Sequence, residues 1–463
     1  MSKRLLFALT GIIAFSAASH AQVVASKDPD SLAIRKIFDE ALLHGQSYDN
    51  LHYMCKKIGH RLSGSPQAAA AVEYTYQVMQ QFCDTVYLQE CMVPHWVRGT
   101  HDEGKITGSK SHGTVPVNLL ALGGSIATPA GGVTAEVLEV HDFKELEKLG
   151  KKGVQGKIVF FNHPFDNAHV NTFHAYGECV EYRWAGPSVA AKYGAAATIV
   201  RSMTNGIDEF PHTGSMHYDT LQPKVPCAAI CTRDAELLSK IIKNEGKASF
   251  YLNLDCQTLP DVKSYNVIGE LRGSERPEEI IAVGGHLDSW DVGEGAHDDG
   301  AGVVQSMEVL RLFKATGVRP KHTLRAIMFM NEENGLRGGT KYAEVVALKK
   351  EKHIAALETD AGGFSPRGFG LGMTDAQQTK VRTWAPLLLP YGIHELKSGG
   401  GGADIGPLAK QGVPVIGLRP DSQRYFNYHH TPADVFEAVN KRELEMGGAA
   451  IAALLYLIDM YGL

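Results

Sequence analysis

The stretch that most constrains the fold runs from residue 280 to 302 and reads IIAVGGHLDSWDVGEGAHDDGAG. It begins as an apolar strand and breaks into a turn rich in His and Asp. His286 and Asp288 stand two positions apart at the strand end, so both side chains leave the same face of the pleat. The Asp288 carboxylate can then hold one nitrogen of the imidazole while the other nitrogen binds a metal ion. With Asp298 and Asp299 following before two glycines, the stretch predicts a metal-binding turn between a strand and a helix.

From about residue 260 onward, strands alternate with helices. This rhythm is typical of an α/β fold with a mixed, mostly parallel sheet flanked by helices. Ligands bind such sheets at the carboxyl ends of the strands. The last helix is predicted from Asp434 to Tyr461. The predicted strands are Ile280–Val283, Thr323–Met330, Ile354–Glu358 and Pro414–Leu418, and helices are predicted from about Val303 and Gly339.

Acidic or imidazole side chains follow each of these strands. Glu332 and Glu333 come directly after the second strand, and Asp360 follows the third. His430 lies downstream of the fourth strand. We expect these side chains to meet the metal-binding turn at one edge of the sheet. Two histidines and three carboxylates without a thiolate suit two divalent cations that share a bridging carboxylate. Consecutive side chains leaving a strand diverge, so one glutamate of the adjacent pair should bind metal and the other should carry protons.

The first 21 residues are predicted to be a secretory signal peptide. Lys3 and Arg4 precede an apolar run, and Ser19-His20-Ala21 resembles a cleavage site. The run is much shorter than the roughly 20 residues needed to cross a bilayer, and no later segment qualifies. A net charge of −5 without a basic stripe argues against a nucleic-acid partner. We therefore expect an exported protein, periplasmic or secreted, without a membrane span.

The chain has 7 cysteines, which could form disulfides in an exported protein. Their odd number leaves at least one thiol free, and their pairing does not follow from their spacing. No close C-x-x-C pair is present, which argues against cysteine-bound zinc.

Five short motifs occur one after another along the chain: His286-Leu-Asp288, Gly295-Ala-His-Asp298-Asp299-Gly-Ala-Gly302, Asn331-Glu332-Glu333-Asn-Gly335, Glu358-Thr-Asp360-Ala-Gly-Gly363 and His430-Thr431. Together they resemble peptidase family M28, a family of co-catalytic zinc exopeptidases. The resemblance covers essentially the whole mature chain.

The resemblance implies two zinc ions per subunit. His286 and Asp360 would hold one ion, and Glu333 and His430 would hold the other. Asp298 would bridge them. The resemblance also implies a homodimer and a peptide substrate.

Catalytic roles are implied in the same way. Glu332 would be the general base and acid, and Asp288 would be the partner that holds His286. A cis peptide bond is implied between Asp298 and Asp299. His430 is preferred over the adjacent His429 as the ligand because the ligand of the family directly precedes a Thr-type residue.

The middle of the chain changes to short strands with few long helices, which predicts an α+β module inserted into the first domain. The polar, Gly-rich segment at about 99–113 is predicted to be a linker. The resemblance identifies the insert as a protease-associated (PA) module. The predicted divisions are 1–21 signal peptide, 22–112 N-terminal part of the peptidase domain, 113–258 PA-type module and 259–463 metal-bearing part of the peptidase domain.

The predicted function is an exported two-zinc exopeptidase that hydrolyses unblocked dipeptides or short peptides. The alternative is an aminopeptidase of the same family that releases N-terminal residues from longer peptides, because the metal motifs do not separate the two. A catalytically dead binding protein is a third hypothesis. The presence of Glu332 and of every implied metal ligand argues against it.

Overall fold

The computed structural model describes residues 28–463, so the predicted signal peptide lies outside the described residues. The described chain forms two sheets of eight strands each. The strands are β1 Thr85–Val97, β2 Glu103–Ser109, β3 Gly113–Val117, β4 Leu119–Ala121, β5 Val133–Val140, β6 Ile158–Phe161, β7 Ala197–Arg201, β8 Cys227–Ile230, β9 Ser249–Asn253, β10 Gln257–Leu271, β11 Arg276–His286, β12 His322–Phe329, β13 Lys352–Glu358, β14 Pro366–Gly372, β15 Glu395–Ser398 and β16 Val415–Pro420.

Helices cover both faces of each sheet, as expected for an α/β arrangement with a core on either side. The α-helices are α1 Pro29–His44, α2 Ser47–Tyr53, α3 Pro66–Met79, α4 Phe143–Val154, α5 Thr172–Trp184, α6 Gly186–Lys192, α7 Thr232–Glu245, α8 Ala301–Thr316, α9 Arg337–Lys349, α10 Asp375–Arg382, α11 Ala385–Leu388, α12 Gly406–Lys410 and α13 Lys441–Tyr461.

The first sheet has the order β1-β10-β12-β11-β13-β16-β14-β15. The central strands β12, β11, β13 and β16 run parallel to one another, and antiparallel strands lie on both sides of them. This confirms the predicted mixed, mostly parallel sheet. Because the four central strands point the same way, their carboxyl ends meet at one edge, where the predicted metal-binding motifs follow.

Helices α1, α2, α3, α8 and α13 pack on one face of this sheet, and α9 and α12 pack on the other. Within the described residues, α13 is the one helix long and apolar enough to cross a membrane, and most of it is buried in the core. It begins at Lys441 rather than at the predicted Asp434. Asn440 caps it by accepting the Glu443 N–H at 3.1 Å, while the Asp434 carboxylate accepts the backbone N–H of His297 instead.

The second sheet has the order β3-β2-β9-β5-β6-β7-β8-β4. Helix α7 covers one face, and α4, α5 and α6 cover the other. The predicted linker at 99–113 is wrong, because β2 lies within it and pairs with both β3 and β9. The boundary predicted at residue 113 therefore falls inside a hairpin. Ile106 is the one large apolar residue buried in β2, which is too little for a recognisable alternation.

The second sheet contacts the carboxyl edge of the first. The backbone N–H of Thr213 donates to the His430 carbonyl oxygen at 3.1 Å. The ring of Trp290 lies so close to Gly123 that a Cβ at residue 123 would stand 1.8 Å from it, which explains why a glycine is needed there. Each sheet with its helices is called a unit below, and these contacts place the second unit next to the metal-binding motifs of the first.

The seven cysteines are free thiols, and no disulfide forms within the described residues. Most are buried, and burial raises the pKa of Cys227 to about 12. These thiols therefore behave as small apolar side chains.

Arg61 holds the loop between β11 and α8. Its side chain is 0% exposed. Nε donates to the Leu287 carbonyl at 2.8 Å, and Nη1 donates to the carbonyls of Gly59 at 3.2 Å and Glu294 at 2.7 Å. Nη2 donates to the Gly295 carbonyl at 2.8 Å. One guanidinium therefore donates to four backbone carbonyls, three of them in this loop and the fourth at Gly59.

We predict that Arg61→Leu lowers the free energy of unfolding by about 3 kcal/mol or more. Each of the four carbonyls loses a hydrogen bond, which contributes about 1 kcal/mol to stability. The measurement is urea unfolding followed by circular dichroism. Arg35→Leu is the control, because Arg35 is 66% exposed and pairs with Asp39 on the surface. It should change stability by less than about 0.5 kcal/mol. Equal losses in the two variants would contradict the role given to Arg61.

Candidate active site

Asp298 lies between two histidines at the carboxyl edge of the first sheet. Its Oδ1 is 3.2 Å from His286 Nε2, and its Oδ2 is 3.2 Å from His430 Nε2. Its backbone N–H donates to Asp434 at 3.1 Å. The Asp298–Asp299 peptide bond is cis, as the family resemblance implied. A single carboxylate therefore faces two imidazoles, one through each oxygen.

Asp360 and Glu333 extend this arrangement outward. Asp360 Oδ1 is 3.7 Å from His286 Nε2. Glu333 Oε2 is 3.2 Å from His430 Nε2. The structure thus brings the five predicted metal ligands into two sets that share Asp298.

The surroundings of these acids fit divalent cations. Glu333 Oε1 and Asp360 Oδ1 are buried without a hydrogen-bond partner. Burial, reinforced by the Asp298 charge, raises the pKa of Glu333 to about 7. Burial and the carboxylates of Asp360 and Glu333 also raise the pKa of Glu332 well above its usual value. Carboxylates crowded in this way are stabilised in their charged form by nearby cations, and a donor set of imidazole and carboxylate suits zinc and similar ions.

The pKa of His286 moves in the opposite direction. Burial alone would lower it, but the carboxylates of Asp298 and Asp360 outweigh burial and raise the pKa well above its usual value. Without cations the acids therefore draw a proton onto the imidazole. A metal ion would take the place of that proton, because metal ligands bind in their deprotonated form.

Two further side chains, Asp299 and His429, lie among the potential ligands. The Asp299 carboxylate accepts the backbone N–H groups of His286 at 3.0 Å and Gly302 at 2.9 Å, so it caps the start of α8. His429 Nε2 is 3.8 Å from Asp298 Oδ2, farther than that of His430, and its ring stacks on His430 with centroids 3.6 Å apart. The distances favour His430 as the ligand.

Asp288 contacts His286 differently from the prediction. His286 Nδ1 lies 2.9 Å from the backbone carbonyl oxygen of Asp288, while the nearer carboxylate oxygen is 3.8 Å away. The carboxylate instead accepts the backbone N–H groups of Asn331 at 2.7 Å, Glu332 at 3.0 Å and Glu333 at 3.3 Å. These N–H groups follow the end of β12 and have no strand partner. Asp288 therefore fixes the turn that carries the two glutamates.

A cavity of about 360 Å³ opens beside these residues. Glu332, Glu333 and Asp360 line it from the first sheet. Helix α5, which packs on the second sheet, closes the other side with Tyr176, Arg183 and neighbouring residues. A larger cavity of about 610 Å³ adjoins it along Phe173 and Asp360. The acids therefore lie at the bottom of a cleft between the two units.

Tyr176 and Arg183 are not predicted as site residues from the sequence. They lie more than 100 positions before His286, in a helix without a recognisable motif. The one sequence feature that points to this region is the predicted insertion of a module before the metal-binding half of the chain. That signal indicates a covering element but not which of its side chains reach the cleft.

The chain is similar to several known proteins. A protein-family sequence model with the description "Peptidase family M28" matches residues 266–455 of the chain. Carboxypeptidase Q of Mus musculus is 36% identical over 414 residues, which cover 89% of this chain and 85% of that protein. Carboxypeptidase Q of Xenopus laevis is 36% identical over 430 residues, or 92% and 89% of the two chains. The crystal structure of a peptidase M28 precursor from Shewanella amazonensis SB2B has a TM-score of 0.88 and 32% identity, covering 94% of this chain and 97% of that chain. The chain therefore belongs to peptidase family M28.

Proposed function

We propose that the protein is an exported two-zinc exopeptidase that hydrolyses unblocked dipeptides or short peptides. One observation carries the proposal: the two oxygens of Asp298 face different histidines at 3.2 Å each. A carboxylate that bridges two ions needs this arrangement. The relatives named carboxypeptidase Q support cleavage close to a free peptide terminus.

In this proposal His286 and Asp360 would hold one zinc ion, Glu333 and His430 would hold the other, and Asp298 would be a ligand shared by both. When bound, two such ions lower the pKa of a water molecule to near neutrality and polarise the scissile carbonyl. The unpartnered oxygens of Glu333 and Asp360 support these assignments, because ligand oxygens need a cation where no hydrogen-bond donor is present.

Glu332 is the proton carrier. Its carboxylate lines the cavity, and its backbone N–H is fixed by Asp288 at 3.0 Å. The carboxylate takes the proton of the attacking water and then passes it to the leaving amine. Burial and the carboxylates of Asp360 and Glu333 shift the pKa of Glu332 upward, which is the direction that favours a carboxylate as a proton acceptor.

The size of the cleft supports short substrates. Its volume of about 360 Å³ lies near the lower limit of ligand sites, which is about 300 Å³. Helix α5 covers the side opposite the acids. The alternative, an aminopeptidase on longer peptides, uses the same metal chemistry and would extend its substrate into the adjoining cavity of about 610 Å³. The length of the peptides that the protein cleaves therefore distinguishes the dipeptidase from the aminopeptidase.

Metal removal should abolish activity. Dialysis against a chelator should leave no measurable hydrolysis of a dipeptide, and added Zn²⁺ should restore it, because all five proposed ligands are histidine or carboxylate. Co²⁺ should restore it in part, since it accepts the same donors. Full activity after exhaustive metal removal, verified by elemental analysis, would refute the mechanism.

The adjacent glutamates should differ when each is changed to the isosteric amide. Glu332→Gln should keep both zinc ions and lose about 10²–10⁴-fold in kcat, the usual contribution of a positioned proton carrier. Glu333→Gln should lose zinc, because it removes a charged ligand. Metal content and kcat measured on the same preparations decide the assignment, and a reversed pair of phenotypes would show that the two roles are exchanged.

A free amino terminus should be required. We predict hydrolysis of unblocked dipeptides and slow or no cleavage of the N-acetylated forms, because the narrow, acid-lined cleft favours a cationic amino group over a neutral, larger one. The two forms should be compared at equal concentration. Equal rates would mean that the amino terminus is not recognised, and efficient internal cleavage of a folded protein would exclude an exopeptidase.

A further inference from the structure

Arg183 differs from the other buried arginines of the described chain. A buried guanidinium is costly unless carboxylates or carbonyl oxygens compensate it, and four of these arginines have such partners. The partnered ones are Arg61 with four backbone carbonyls, Arg201 with Glu236, Arg311 with Glu40 and Glu308, and Arg325 with Glu270 and Glu351.

Arg183 forms no ion pair with a carboxylate of residues 28–463, although it is only 5% exposed. Nη2 donates to the Tyr176 hydroxyl at 2.8 Å, and Nη1 donates over a long 3.4 Å to the Thr213 carbonyl oxygen. Nε is buried without a partner. A guanidinium carries five N–H donors, so most of its hydrogen-bonding capacity is left for a ligand.

The guanidinium is also held in place. The ring of Tyr176 lies 5.6 Å from Cζ of Arg183. On the backbone of Gly214, a Cβ would stand 2.5 Å from Cζ, so residue 214 must be glycine for the guanidinium to fit. A fixed, planar and desolvated guanidinium is well suited to bind a carboxylate through two parallel hydrogen bonds.

The position of Arg183 relates it to the proposed metal centre. It lines the same cavity as Glu332 and Asp360. Arg183 donates to the hydroxyl of Tyr176. The Tyr176 ring lies 5.1 Å from the ring of His429, and His429 Nε2 is 3.8 Å from Asp298. The cationic group therefore faces the same cleft as the acids from the helix that covers it, and the cleft volume of about 360 Å³ suits a short substrate.

We propose that Arg183 binds the α-carboxylate of the C-terminal residue of the substrate, one residue beyond the scissile bond. This inference rests on the proposed exopeptidase function and narrows its substrates to peptides with a free C-terminus, dipeptides above all. A dipeptide has a single peptide bond, and the two Cα atoms on either side of it are only about 3.8 Å apart. A dipeptide whose carboxylate is bound by Arg183 therefore presents that one bond to the acids. Arg183 is then a specificity-determining residue.

The test compares a free dipeptide with its C-terminal amide, using the zinc-loaded full-length protein. The wild type should favour the free acid by about 10²-fold in kcat/KM, the usual effect of losing one partner of a buried, hydrogen-bonded charge pair. Arg183→Met should bring that ratio close to one, and Arg183→Lys should retain part of it. Arg201→Met is the matched control, because Arg201 is also buried, at 8% exposed, but pairs with Glu236 and does not line the cavity. It should leave the ratio unchanged.

Two results would overturn the proposal. One is a wild type that hydrolyses acid and amide equally well. The other is an Arg183→Met variant that loses activity on both substrates to the same extent, which would make Arg183 a structural residue. If the wild type cleaves neither substrate, the exopeptidase function itself fails. In that case, calorimetric measurement of binding tests the role of Arg183 separately. Tighter binding of the free dipeptide than of its amide, with the difference lost in Arg183→Met, supports the role. Equal binding of acid and amide overturns it.

Discussion

The arrangement of buried carboxylates around Asp298 is the constraint on which the rest of the structure depends. Asp298, Glu332, Glu333 and Asp360 line a common cleft. Among residues 28–463, His286 and His430 lie within ion-pair distance of these acids, and His429 lies farther away, at 3.8 Å from Asp298. Such a group of acids needs cations to remain charged. The parallel strands deliver these side chains to one edge. Arg61 and Asp288 then fix the loops that carry them, through hydrogen bonds to backbone groups that have no partner in a sheet.

The second sheet contributes to this centre as well as covering it. The Thr213 carbonyl oxygen accepts from Nδ1 of His430 at 3.2 Å and from Nη1 of Arg183 at 3.4 Å. One backbone group of the second unit therefore orients a proposed metal ligand and a proposed substrate-binding side chain. A hydrogen bond to the second nitrogen of a ligating histidine fixes its tautomer and ring orientation. Metal binding and recognition of the substrate terminus thus depend on the same contact between the two units.

The sequence predicted the family, the α/β class and the strands that end at the site, because alternating strands and helices produce strong periodic signals. It also predicted which acids and histidines would converge, since parallel strands end at a common edge. It did not predict β2, where Ile106 is buried in an otherwise polar strand. It also assigned the Asp288 carboxylate to His286, whereas the carboxylate binds the turn after β12. Arg183 could not be identified, because its significance depends on contacts between segments far apart in the chain.

The central claim is that the site holds two zinc ions bridged by Asp298. The most direct test is anomalous X-ray diffraction from crystals of the zinc-loaded protein, recorded on both sides of the zinc absorption edge. The account predicts two anomalous peaks about 3.5–4 Å apart, one beside His286 and Asp360 and the other beside Glu333 and His430. A single peak, or two peaks that do not flank the Asp298 carboxylate, would contradict it.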